Sequence, residues 1–282
     1  MNAYLWFGIP TVVKGILISL VFALIFRKQI KKYPLVFYIY PAAMFVWYGL
    51  FGLIRVLFDI RVTQVLGLSG TWVSDIMGLF RTLDLFAPFG IGLITIVMFI
   101  GVLPKTKTVI HLYQIRSELS IIGATLLVAH GFMRLSNAME YLDGSYEGSF
   151  NLTVLAFGII GPIILILILL PWLTSFKFIR KQMKPKTWKK LQTYFSVPMF
   201  IGMLLFGWAF TARAVGDYDL TALGDIILNS RGNAVSIKTG ADFATSVLAS
   251  KVYLMLLISY IWLRVKKIKE QKKKSGRQTA HE

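Results

Sequence analysis

An ionisable side chain inside an apolar stretch is costly and therefore a functional candidate, and three in this sequence are weighed first: His130, Arg134 and Lys14. His130 is the most informative, since His111 and His281 lie in polar surroundings. A neutral imidazole is the commonest metal ligand, and haem iron inside helical bundles is held by inward-facing histidines. Arg134 follows four residues later on the same helical face, where a guanidinium could pair with a haem propionate. The blander reading has His130 hydrogen-bonded to a neighbouring helix and Arg134 snorkelling to headgroups. Lys14, in the outer half of its stretch, is explained by snorkelling toward the outer face. Arg55, Arg81, Arg213 and Lys251 lie at the same level as Arg134. Together they would collar an outward-facing pocket for propionates or an anionic substrate, or each would simply anchor its own helix end. The chain has no cysteine, which excludes disulfides, thiolate metal sites and cysteine nucleophiles.

The elements that must position these residues are membrane spans. Apolar residues make up 56% of 282 and charged residues only 16%, against roughly a quarter charged in soluble domains. Each bilayer crossing needs about 20 apolar residues, and suitable stretches run 6–26, 34–57, 86–103, 118–135, 151–173, 192–212 and 246–263. The expected fold is all-α, a polytopic bundle of about seven transmembrane helices. The formal charge of +18 follows topology rather than a nucleic-acid surface. Basic residues gather after the first span, after the third, between the fifth and sixth, and in the tail from Arg264 to Arg277. Short loops rich in Lys and Arg are cytoplasmic, so the N-terminus is expected outside and the C-terminus in the cytoplasm. That is the plan of a multi-pass cell-membrane protein, of the bacterial cytoplasmic-membrane kind, with the lipid bilayer as its first partner. Residues 58–85 read as an interfacial amphipathic segment, and 214–245 as an ordered surface loop. The tail is expected to be solvated or to lie on anionic headgroups.

Two segments carry a family likeness. Phe99-Ile-Gly-Val-Leu-Pro104-Lys is followed by Gln114-Ile-Arg116 and then His130, fourteen residues beyond the arginine. Leu170-Pro-Trp172-Leu-Thr174-Ser175 is followed by Trp188-Lys-Lys-Leu191-Gln192-Thr-Tyr194. This pattern resembles the ferric-reductase-like transmembrane domain family, in particular the haem-binding membrane subunit of the bacterial methionine sulfoxide reductase system (MsrQ/YedZ type). The resemblance covers residues 86–212 and extends to the final span. It divides the chain into an additional N-terminal helix with its basic loop (1–33), a six-helix domain (34–263) and a basic tail (264–282).

The resemblance implies a membrane electron-transfer subunit with haem b as cofactor. His130 would be the iron ligand, Arg134 a propionate partner and Arg116 an inner-end anchor. Two of the family's haem-ligating histidines are absent, standing here as Gln192 and, thirteen residues on, Leu205. At most one haem is therefore expected, on the outer side, with Met203 or Met199 as candidates for the sixth ligand. Electrons would pass between a membrane quinol or separate reductase and an extracytoplasmic acceptor such as a flavoprotein. The chain would be an oxidoreductase component without its own NAD(P)H or FAD domain, since no Gly-rich βαβ fingerprint occurs. The alternative is a haem-free accessory or scaffold protein on the same bundle. A transporter finds little support, with no pair of broken helices in matching halves.

Overall fold

The computed structural model describes residues 9–83, 85–142, 159–216, 226–228, 234–237 and 240–279. The start of the first apolar stretch, residues 143–158, most of 217–239, Asp84 and His281 lie outside the described residues. The principal helices are α1 (Thr11–Ile25), α2 (Pro34–Phe58), α3 (Trp72–Thr82), α4 (Ala87–Ile100), α5 (Arg116–Leu142), α6 (Gly161–Ser175), α7 (Pro185–Gly216) and α8 (Gly240–Thr279). Among the described residues the only strands are β1 (Ile226–Leu228) and β2 (Ala234–Ile237), an antiparallel ribbon pairing Ile226 with Ile237. The helical class read from the sequence is what the chain adopts, with that ribbon as a small exception inside the expected outer loop.

Among the described residues four helical segments are long and apolar enough to cross a membrane: Pro34–Phe58, Arg116–Leu135, Pro185–Ala209 and Ala244–Gln271. Three shorter apolar helices, α1, α4 and α6, complete the set of apolar stretches. Outward-facing positions remain apolar along these helices, with Leu35 76% exposed, Ile39 68% and Ile166 60%. A continuous belt of this kind is what lipid contact requires. The protein is a helical membrane protein.

The bundle is organised around α4. Most of its residues are buried, including Phe89, Leu93, Ile94 and Val97, as expected of a helix apolar on every side. α1 is seated directly on it. A Cβ added to Gly92 would come within 2.2 Å of the Gly15 carbonyl oxygen, and one added to Gly15 within 2.1 Å of the Pro88 carbonyl oxygen. Ser19, one turn on from Gly15, donates to the Phe89 carbonyl at 2.9 Å. Lipid tails give no hydrophobic drive to helix pairing, so close small-residue seams of this kind carry the packing. α1 is thus packed into the core against α4.

Tyrosines of α2 hold the amphipathic helix α3 to one end of the bundle. Tyr48 donates to the Met77 carbonyl at 3.0 Å and Tyr40 to the Leu85 carbonyl. Met77 and Phe80 face the core, whereas Trp72, Ile76 and Leu79 are left on the open side. α2 carries Pro41 inside the helix and a π turn over Phe45–Leu50.

The basic segments all meet at the opposite end. Arg27, after α1, lies with Nη1 2.6 Å from Nδ1 of His111, after α4. Lys267 of α8 donates to the Gly101 carbonyl. The tail does not begin where the apolar stretch ends: α8 continues without a break through Arg264 to Thr279, forty residues in all and about 60 Å long.

Candidate functional site

Two cavities are stacked inside the bundle and share a wall of Ile168 and Met199. The first, at the end away from the basic segments, has a volume of about 180 Å³ and contains three of the four residues singled out from the sequence. His130 and Arg134 come from α5, Met203 from α7, with Leu165 and Phe206 closing the sides. Met203 is buried, while Arg134 is exposed at the rim. The His130 ring meets the edge of Phe86 at 5.7 Å. Its Nδ1 is buried with no hydrogen-bond partner among the described residues. Of the expected collar, Arg134 alone among the described residues lines this cavity; Arg55, Arg81 and Lys251 are exposed, and Arg213 has no described side chain.

The donor set suits haem iron, since His/Met ligation is established chemistry, but the room does not. Ligand pockets for drug-sized molecules span roughly 300–1,000 Å³, and this cavity is well below that. The space beside His130 is taken by Leu165, whose Cδ1 lies 2.6 Å from where a Cβ on Gly131 would stand. A porphyrin does not fit the cavity as built.

The Gln192 and Leu205 positions behave differently from one another. Gln192 faces the second cavity, but its amide is turned onto α6. Leu205 is 43% exposed on the outer surface of α7. The inward register after Gln192 runs through Met199, Met203 and Phe206, so the residue fourteen on, rather than thirteen, points into the bundle.

The second cavity lies at the basic end and has a volume of about 810 Å³. Five cations line it: Arg116, Arg180, Lys189, Arg264 and Lys267. No Asp or Glu is among its lining residues. Arg116 therefore stands in this cavity and not with His130, about 21 Å away along α5 at 1.5 Å per residue. Its Nε donates to the Val97 carbonyl at 3.1 Å, and Lys267 takes the Gly101 carbonyl. Both neutralise carbonyls at the C-terminal end of α4, where a helix dipole favours cations. Arg180 is stacked over the Trp188 ring, 4.5 Å from its centroid. Trp188 Nε1 donates to the Thr174 carbonyl at 2.9 Å, and Trp172 Nε1 to Thr125 Oγ1 at 2.9 Å. These bonds lock the aromatic walls in place. The deep half of the cavity is apolar, with Ile94, Met98, Ala124, Ile168 and Met199.

Of these cations the sequence singles out Arg116 as an inner-end anchor, and the other four read only as topology markers. The signal that they converge was present in the spacing: Tyr260, Arg264, Lys267 and Gln271 recur on one face of α8, and Ser117, Ser120 and Ala124 on one face of α5. Lys14, expected to snorkel outward, is instead 6% exposed within the bundle.

Fold and cavities together define a helical membrane protein with two stacked internal sites, the larger one cationic. No protein-family model matches the chain, and no solved structure matches it. An uncharacterized protein of Treponema pallidum (strain Nichols) is 28% identical over 171 residues, covering 59% of this chain and 42% of that relative. The match thus spans less than half of the relative's length.

Proposed function

We propose that this chain is a ligand-binding membrane protein of the haem-free accessory kind, built on a ferric-reductase-like plan, and that its working site is the cavity at the basic end. The observation that carries this reading is five cations, with no Asp or Glu, among the residues lining about 810 Å³, while Glu118 accepts from the hydroxyl of the lining residue Ser117 at 2.8 Å. Cations that outnumber the carboxylates near them repel one another unless an anion joins them. The bundle crosses the membrane seven times, with the N-terminus outside and the basic end in the cytoplasm, as the positive-inside rule orients it. The ligand is therefore an anion reached from the cytoplasmic side or the inner leaflet.

The test is a titration of the purified protein, in nanodiscs of zwitterionic lipid, with glycerol 3-phosphate. A ligand that binds only the folded state raises the unfolding midpoint saturably. The wild type is expected to show that rise, and an Arg180→Gln/Lys189→Gln/Arg264→Gln variant to lose it. A wild type indifferent to the anion overturns the reading.

A second reading is kept alive by one observation: His130, Arg134 and Met203 line a single cavity, and His130 Nδ1 is buried without a described partner. It is electron transfer through an outer b-type haem between a quinol or separate reductase and an extracytoplasmic flavoprotein, and it requires Leu165 to move aside. An absorption spectrum of protein expressed with ample haem, oxidised and dithionite-reduced, decides it. A reduced b-type band that disappears in His130→Ala would put this reading first.

A further inference from the structure

We infer that the anion taken by the inner cavity is the phosphate headgroup of a membrane lipid, with its chain lying in the cavity's apolar half; this rests on the anion-binding reading above. The lining is divided along the membrane normal. At the basic end stand Arg180, Lys189 and Arg264; the hydroxyls of Ser117 and Thr193 in the same lining donate to the Glu118 carboxylate at 2.8 Å and to the Lys189 carbonyl at 3.0 Å. Toward the middle of the bundle the lining changes to Ile94, Met98, Ala124, Ile168 and Met199. A small inorganic anion would use the first half and leave the second half empty and dry. An amphiphile fills both, and it does so in the orientation a lipid of the cytoplasmic leaflet already has.

The cations are not equivalent. Arg116 and Lys267 hold the last carbonyls of α4, so they shape the site as well as charging it. Arg180 is immobilised over Trp188, which lowers the ordering cost of receiving an anion. Lys189 is exposed at the mouth and Arg264 lies beside Tyr260 on α8, and these two carry much of the discrimination. A planar guanidinium also pairs bidentately with phosphate, so a phosphate monoester gains most.

The experiment is native mass spectrometry of the full chain released from nanodiscs. The bilayers contain phosphatidylcholine alone or with a small fraction of phosphatidate. The wild type is expected to retain one phosphatidate at least tenfold more often than one phosphatidylcholine. Lys189→Gln/Arg264→Gln is expected to lower that preference about tenfold or more. Ala124→Phe, which fills the apolar half, should abolish phosphatidate retention. Ser120→Phe, at a less buried point of the same wall, serves if Ala124→Phe does not fold.

Equal retention of the two lipids overturns the inference, and so does phosphatidate retention that survives both fillers. If glycerol 3-phosphate stabilises the protein but no lipid is retained, the ligand is a soluble phosphate ester: the inference fails and the anion reading stands. If neither probe binds, both fail.

Discussion

Gln192 and Pro171 are joined across two helices: the Gln192 amide donates from Nε2 to the Pro171 carbonyl, 3.0 Å away, and also reaches Thr174 Oγ1 at 3.0 Å. The position at which the family resemblance places an iron-ligating imidazole is here a clasp between α7 and α6. Pro171 has no N–H to give to the turn before it, and its own carbonyl collects side-chain donors, Ser175 Oγ at 2.6 Å as well as Gln192. Gln192 adds a bond from outside the helix and fixes one wall of the inner cavity.

Replacing Gln192 by Leu keeps the volume and removes the clasp. The Pro171 carbonyl retains its Ser175 partner, so the loss is expected at the scale of an interhelical bond in a membrane, about 0.5–1.5 kcal/mol. Reversible unfolding in mixed micelles measures it. A loss several times larger would mean that the residue has a further role.

Thr125→Val is nearly isosteric, so its effect isolates the bond from the Trp172 indole. The indole N–H is left without its acceptor in the bundle interior, and a stranded donor costs about 1–3 kcal/mol. The same unfolding assay should report a loss in that range, with a change in tryptophan emission from the altered Trp172 environment.

Gly92→Val is expected to be far more damaging. Its side chain would run into the Gly15 carbonyl, where a Cβ has 2.2 Å of room and the obstacle is backbone. Overpacking of this kind costs about 1–3 kcal/mol or more, and relief requires α1 to separate from α4. Loss of monodisperse protein on gel filtration is the expected outcome. A well-behaved variant of wild-type stability would show that the seam is not tight.

The seven-span arrangement is testable because the chain has no cysteine of its own. Single cysteines at Lys186 and Lys273, on the basic side, should react with a membrane-impermeant maleimide only after the cells are opened. One at Trp72, exposed on α3, should react in intact cells. The reverse pattern would invert the topology, and would move the basic cavity to the outside.

The helical membrane class was legible in the sequence because apolar length and the clustering of Lys and Arg report directly on the bilayer. The grouping of His130, Arg134 and Met203 was legible too, since His130 and Arg134 share a helix face and Met203 was chosen by its offset from the family pattern. What could not be read was the space between helices. Cavity volume depends on side chains meeting across elements far apart in sequence, as Leu165 meets Gly131, and one-dimensional periodicity does not carry that. Nor could it show that Lys267 would turn back onto Gly101, 166 residues away, to make a cavity wall of what reads as a solvated tail.

The most direct test of the central claim is an experimental density map of the protein purified from its native membrane into nanodiscs without added ligand. The account predicts headgroup-sized density among Arg180, Lys189 and Arg264 with an apolar extension toward Ile168 and Met199, and no planar density between His130 and Met203. A porphyrin disc on His130, with nothing bound among the five cations, would contradict it and make electron transfer the function to pursue.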